Sequence, residues 1–503
     1  MVWSLYLLAL AALLVTAPPT IWEPGTREFL IIIGLIGLWR YSWWGVHLVR
    51  AQLYRKRLFP RWRRKAGLLW RYRTAGSEGD EELRARARPR VFVVVTSYRI
   101  PSDTTLACYR SVFQEAERYG GEVVVVASLV ESADERFVKT LFRRLELPQR
   151  VRLVLLRLSG RGKRRALASA LRAVVRHRPK PTDAVVVMDG DALFAPGTLE
   201  RCLPFFDLFP ELGGLTTDEE VVVRRGSLFE IWQRLRFAQR HLTMCSLALS
   251  RRLLTMTGRM SIFRASIATD PDFIRIIEQD RLEHWRLGRV PLLTGEDKST
   301  WFWLLERGFA MLYVPDVRVW TLEDPPARSF LRSSTQLMLR WFGNMLRGGR
   351  KALALGPRRV GTFVWWTLVD QRVAMWTPLI GPTAALLLGL AVSPVYLHVY
   401  AIWVLITRLL LSLGLYGIRR RIHGLFPLLL YYNQVYGSFL KTYVLFRLDR
   451  QRWTRQNIAL APAERWLRWS SAVAHALALA ALVVMVGFLT ELLLLPPLWS
   501  VAP

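Results

Sequence analysis

Asp183–Leu193 reads DAVVVMDGDAL, a run of β-branched and apolar residues that ends in two aspartates separated by one glycine. Residues of this kind suit a pleated, buried surface, and a strand covered on both faces reads as continuously apolar rather than alternating. VFVVVTS (Val91–Ser97), EVVVVAS (Glu122–Ser128) and VRLVLLRL (Val151–Leu158) have the same character, and AVVVMDG (Ala184–Gly190) lies inside the quoted stretch. Helical patterns such as Arg136–Leu145 and Lys163–Val175 fall between them. This alternation predicts an α/β domain with a mostly parallel sheet covered by helices. Ligands of such sheets bind outside the carboxyl ends of the strands, where Asp189 and Asp191 stand.

The carboxylate pair sits in a very basic chain. The 503 residues carry 71 Lys+Arg against 39 Asp+Glu, a net charge of +32, yet 52% are hydrophobic and 12% aromatic. That mixture suits membrane segments joined to a charged soluble part, and the length calls for more than one region. The charge does not point to nucleic acid, because of where it lies. Arg50–Arg73 holds ten Lys/Arg and no acid directly after an apolar segment, and Arg419-Arg420-Arg421 follows another. Juxtamembrane basic clusters mark the cytoplasmic side and meet anionic lipid. Cys108, Cys202 and Cys245 have neither zinc spacing nor a disulfide framework and read as reduced thiols.

Hydropathy then divides the chain. Residues 1–50 hold two predicted spanning helices, Trp3–Val15 and Phe29–Val49, joined by PPTIWEPGTRE with the N-terminus inside. Residues 51–89 form a basic juxtamembrane linker, and 90–328 the cytoplasmic α/β domain. Interfacial amphipathic helices follow at 329–370, then a C-terminal transmembrane and interfacial region at 371–503. Within it Ala374–Val392 and Pro394–Leu415 read as a spanning pair, and Ser471–Leu495 as a last span that places Pro503 outside. Leu425–Phe446 has basic residues on both flanks, which suits a surface or re-entrant element.

Several short motifs carry chemistry. Hard cations such as Mg²⁺ or Mn²⁺ take carboxylate and phosphate oxygens, which Asp189-Gly190-Asp191 and a diphosphate would supply; an ordinary D-G turn is the alternative. Gly160-Arg161-Gly162-Lys163-Arg164 is not a P-loop, yet it places Lys163 at a helix start that can approach phosphate. Thr257-Gly258-Arg259-Met260-Ser261-Ile262-Phe263-Arg264 is a third unusual segment. Thr294-Gly295-Glu296-Asp297-Lys298 enters a helix, where an acidic pair also serves as a cap. Arg340-Trp341 lies in the basic amphipathic stretch.

Taken in order, these five features resemble the processive inverting family 2 glycosyltransferases, which include hyaluronan, chitin and cellulose synthases. GEDKSTWFWLLERG, TQLMLRWFGNMLR and SLVESADERF are most similar to the bacterial alginate (mannuronan) synthase branch. The resemblance implies a GT-A-type domain and a bacterial inner-membrane enzyme polymerising a β-linked polysaccharide, with mannuronan from GDP-mannuronate favoured. It implies that Tyr98 and Glu131 sit by the donor, Lys163 by its phosphates, and Asp189 and Asp191 on the metal–diphosphate. Asp297 would be the general base with Glu296 beside it. Arg340 would meet the pyrophosphate, Trp341 the sugar and acceptor, and Gly258 and Arg264 the acceptor. The implied partners are the growing polysaccharide, the lipid membrane, a separate cyclic-di-GMP-sensing membrane subunit and export machinery, with no nucleic acid. Leu337 stands where the family shows Gln or Arg, with Gln336 one position earlier, and the base motif is Gly-Glu-Asp rather than Thr-Glu-Asp. A UDP-sugar polysaccharide synthase, a single-addition transferase to a lipid carrier, and a membrane scaffold with a degenerate α/β domain are the alternatives.

Overall fold

The computed structural model describes residues 2–75, 83, 86–160, 162–222, 227–453, 458–460 and 464–493. Arg161 and Pro503 lie outside the described residues.

One sheet organises the catalytic half. Its strands are β1 (Val91–Thr96), β2 (Val123–Leu129), β3 (Val151–Arg157), β4 (Ala184–Asp189), β5 (Ala192–Leu193), β6 (Leu212–Val222), β7 (Met260–Arg264) and, after a separate hairpin of β8 (Arg281–His284) and β9 (Gly288–Pro291), β10 (Ala310–Leu322). The order is β3-β2-β1-β4-β7-β6-β10-β5. The β3-β2-β1-β4 half is parallel, as the continuous apolar runs require. β7 is inserted antiparallel between β4 and β6, an element the sequence pattern did not single out. β3 also differs from expectation: as an edge strand it is only partly covered, whereas every residue of β1 and β2 is buried.

Register decides what meets at the sheet edge. Thr96 pairs with Asp189, and Met260 with Met188, so the ends of β1 and β4 adjoin the start of β7. The β10 end joins them through Leu322 N–H, which donates to the Asp191 carbonyl at 2.9 Å. Helix Lys163–Arg176 starts just after β3. The motifs around 97, 163, 189 and 258 therefore converge on one edge, beside the end of β10.

The basic stretch after residue 50 is not a linker at its start. Helix Pro24–Leu53 continues through a wider turn, Tyr54–Leu58, into Phe59–Thr74, giving one 51-residue rod. Its basic half docks on the catalytic domain. Tyr54 is fully buried with its hydroxyl donating to Tyr313 O at 2.5 Å, Arg63 chelates Asp316, and Arg73 pairs with Asp207 at 2.7 Å. Two ion pairs and the buried Tyr54, Phe59, Ala66 and Trp70 hold the segment against the domain, while most of its other basic side chains stay exposed.

Among the described residues four helices are long and apolar enough to cross a membrane: the Pro24–Thr74 rod through its apolar half, Thr362–Ala391, Val395–Arg419 and Arg465–Leu489. Val2–Val15, expected to span, has 14 residues, about 21 Å of helix against a hydrocarbon core of about 30 Å. Thr362 opens the third apolar segment earlier than expected. Phe426–Leu445, the ambiguous stretch, is not among the four; it packs against helix Phe330–Ala354 beneath the cleft.

Candidate active site

A cavity of about 740 Å³ opens along the convergent edge and is lined by Tyr98, Lys163, Asp189, Asp191, Glu296 and Asp297, with Arg340 and Trp341 on its far side. Its centre is an ion-paired cluster. Lys163 Nζ bonds Asp189 at 2.6 Å and also bonds the Glu296 carboxylate. Gly258 sits against all three: a Cβ there would lie 3.1 Å from Lys163 Nζ, 3.4 Å from Glu296 Oε1 and 3.5 Å from Asp189 Oδ2. A side chain at 258 would press on the lysine tip, because the backbone passes this close. Gly258→Ala should leave folding nearly unchanged but displace the lysine tip, lowering donor affinity on the order of ten-fold, the size of a 1.4 kcal/mol mismatch. Calorimetric titration with the donor nucleotide checks it.

Burial and partners divide the charges. Burial opposes charge on Lys163, but the Asp189 and Glu296 carboxylates outweigh it and hold the ammonium above the ordinary lysine range. Burial also works against the Glu296 carboxylate, yet the Lys163 charge and hydrogen bond, with Arg164 behind, hold it well below the usual range. For Asp189 burial dominates and pushes it up, with Lys163 pulling the other way and Asp191 adding repulsion. Asp297 is likewise raised, by burial first and the Glu296 charge second. Its Oδ2 accepts from Thr255 Oγ1 at 3.2 Å. So Glu296 is committed to holding Lys163, while burial favours the protonated form of both Asp189 and Asp297.

The turn carrying both acids is locked from below. Gly295 adopts the left-handed conformation at φ +85° as the N-cap of helix Glu296–Glu306, with no side-chain cap. Thr294 Oγ1 donates to Asn344 Oδ1 at 2.8 Å, and Arg347 donates to the same oxygen at 2.8 Å. Arg164, buried, donates to Ile277 O at 2.9 Å, Thr294 O at 3.0 Å and Ser299 Oγ at 3.0 Å. Arg164→Met would leave these acceptors unsatisfied. It should cost roughly 2–4 kcal/mol of stability, the range for breaking a buried hydrogen-bonded group. A fall in the thermal unfolding midpoint in detergent, not matched by Arg165→Met on the same helix, checks it.

Two expected residues do not join the cleft wall. Arg264 pairs with Ala184 at the far end of β7, where its guanidinium donates to Leu212 O, Phe206 O and Phe209 O. It is a backbone tie, not an acceptor contact: five residues of strand carry it away from Asp189. Glu131 caps the turn before helix Ser132–Arg144 and faces Arg99 at 3.6 Å, with Arg99 rather than Glu131 on the cavity wall. Leu337 lines the cavity as an apolar side chain where a polar one was expected.

Other residues had no role assigned from the sequence. Arg259 lies on the cavity wall, held by Glu219 at 3.1 Å and by Glu323. Trp341 stacks on Trp232, centroids 5.7 Å apart, and Arg236 stands 4.3 Å above the Trp341 ring. Trp232 and Arg236 sit in the helical run LFEIWQRLRF and look like any amphipathic face. Only tertiary packing brings them to Trp341.

Asp189 and Asp191 are the residues suited to a divalent cation. Their donor set, two carboxylates with a diphosphate to complete it, fits Mg²⁺ or Mn²⁺ shared with a substrate. Among the described residues no group of three or more His, Cys, Asp or Glu is placed to form an all-protein cage.

The chain is similar to several known proteins. Residues 89–344 match the model "Glycosyltransferase like family 2". The chain is 44% identical over 474 residues to "Glycosyltransferase alg8" of Pseudomonas syringae pv. tomato, covering 93% of this chain and 94% of that one. It is 43% identical to "Glycosyltransferase alg8" of Azotobacter vinelandii with the same coverage. Among solved structures, the mannosyltransferase PcManGT from Pyrobaculum calidifontis, in complex with GDP-Man and Mn²⁺, aligns at TM-score 0.45 and 19% identity, over 76% of this chain and 98% of that chain.

Proposed function

The chain belongs to the family 2 glycosyltransferases, and from that premise we propose that it polymerises mannuronan from GDP-mannuronate at the inner membrane, as a processive inverting enzyme that guides its product through its own helices. The observation that carries the reading is that the Asp297 carboxyl shares one cavity with the Asp189/Asp191 pair, Arg340 and Trp341, beside helices apolar enough to cross a membrane.

The chemistry follows from the placement. The acceptor hydroxyl oxygen bonds to the anomeric carbon of the donor sugar while the bond from that carbon to the nucleoside diphosphate breaks. Asp297 takes the hydroxyl proton. One displacement at an α-linked donor gives a β-linked product, so one base suffices and no covalent enzyme intermediate forms. Arg340 and Lys163 supply positive charge to the departing diphosphate, and Glu296 holds Lys163 in place. A divalent cation bound by Asp189 and Asp191 would add Lewis-acid neutralisation of that leaving group. Tyr98, after β1, lines the cavity, where it would meet the nucleotide base. A separate cyclic-di-GMP-sensing membrane subunit and an export apparatus complete the proposed assembly.

The test is incubation of purified protein in lipid nanodiscs with several radiolabelled nucleotide sugars. Label from GDP-mannuronate should enter a high-molecular-weight product cleaved by a mannuronan lyase. Label only from a UDP-sugar would assign a different polysaccharide, and a product of one added residue would select transfer to a lipid carrier.

A further inference from the structure

Trp341 lines the cavity and packs on the fully buried Trp232, where a lane of packed rings begins behind the cavity wall. Phe330 packs on Trp232 at 5.9 Å, Tyr432 on Phe330 at 5.4 Å, and Tyr436 stacks on Tyr432 at 5.1 Å. Phe342, next to Trp341, lies under Lys441 Nζ at 5.0 Å. Tyr432, Tyr436 and Lys441 belong to helix Phe426–Leu445, which packs against the apolar helices Thr377–Ala391 and Val395–Arg419. The lane therefore runs from the acceptor side of the cleft toward the membrane part.

Two cations on this lane lack counter-charges. Arg236 is partly buried, 4.3 Å from the Trp341 ring centre and 5.3 Å from that of Trp232, and pairs with no carboxylate among the described residues. The acid whose field it feels, Glu323, bonds Arg259 and Gln233 instead. Lys441 is the same case: the acid near it, Asp370, is bonded by Arg40. Elsewhere in this region the acids are shared out, with Arg240 and Arg259 both on Glu219. Keeping a cation partly out of water with no anion is costly, and a ring face offsets only part of that cost. A neutral polymer sliding past would supply no charge. A polyuronate supplies one carboxylate per sugar.

We propose that Arg236 and Lys441 form a carboxylate-reading site for the growing chain, which grips the uronate groups of the polymer as they leave the Trp341 end of the cavity. The proposal rests on the reading of the product as a polyuronate. The site selects acceptor, not donor: the two cations flank the lane on its way out of the cleft, whereas Lys163, Asp189 and Asp191 face the sheet edge.

The test uses the full chain in nanodiscs and two probes, a β-linked mannuronate hexasaccharide and its carboxyl-reduced mannose counterpart, with binding read by tryptophan quenching. The wild type should bind the charged probe at least ten-fold tighter. Arg236→Gln and Lys441→Gln should each reduce that preference roughly ten-fold, the loss of one charged hydrogen bond, while Arg236→Lys keeps most of it and GDP affinity stays unchanged in all three. Equal wild-type binding of the two probes overturns the proposal without need of any variant. So does undiminished binding of the charged probe by both Gln variants, or a loss confined to GDP. Failure of the underlying reading looks different: the wild type then incorporates no label from GDP-mannuronate. Incorporation with unaffected Gln variants sinks this site alone.

Discussion

Asp297→Asn is expected to preserve donor binding and to lower polymer formation by roughly 10²-fold or more, the range for loss of a general base. The substitution keeps the side chain's shape, its place beside Thr255 Oγ1 and its position at the helix start. What it removes is the ability to take a proton. The competing idea, that the acidic pair only caps the helix, predicts little change, since Asn caps about as well as Asp. The structure already weakens that idea. The N-cap is Gly295, and the adjacent Glu296 carboxylate turns to Lys163 instead of closing the helix end. The same environment gives a pH signature. Burial, then the Glu296 charge, raises Asp297, so the working base must be deprotonated above the ordinary aspartate value of about 3.9. Activity should therefore be full at neutral pH and fall as pH drops through that raised value, with an acid limb that begins above the range of an exposed aspartate. Near-normal polymer yield from a folded Asp297→Asn protein would return Asp297 to a structural role.

Why was so much of this cleft legible in the chain, and why not the rest? β1, β2 and β4 are continuous apolar runs because both faces are covered, and their polar ends are the only places where function can sit. Thr96–Tyr98, Asp189 and Asp191 follow directly from that. Lys163, Glu296, Asp297, Arg340 and Trp341 came from ordered motifs, and all line the same cavity. Arg264 shows the limit: it lies in a motif, yet a strand carries motif residues to opposite ends of the sheet, and only the antiparallel register of β7 reveals which end. The basic stretch after residue 50 shows another. Local charge looks the same whether it meets lipid or pairs with Asp316 and Asp207, more than a hundred residues away in sequence. Arg236 and Lys441 were invisible for the converse reason, because a missing partner is a property of the folded neighbourhood and not of a window of sequence.

The second large effect is expected at Asp191. Asp191→Asn should weaken binding of Mn²⁺ in the presence of GDP by roughly 10²-fold or more, as for removal of one charged ligand from a site that has only two. Asp189→Asn should weaken it less. The Lys163 ammonium lies 2.6 Å from Asp189 and already offsets much of that carboxylate's charge. Asp191 is buried at the turn after β4, its own carbonyl anchoring the end of β10 through Leu322 N–H. Replacing one side-chain oxygen by an amide leaves that backbone bond intact, so the fold and the β10 contact should persist. Electron paramagnetic resonance of Mn²⁺ titrated into protein with and without GDP reads the metal directly, independent of turnover. GDP affinity in the presence of a chelator should hardly move, because without a cation the removed charge can only have repelled the diphosphate. If Asp191→Asn binds Mn²⁺–GDP as tightly as the wild type, the D-G-D segment is a turn, and the diphosphate is held by Lys163 and Arg340 without help from this carboxylate.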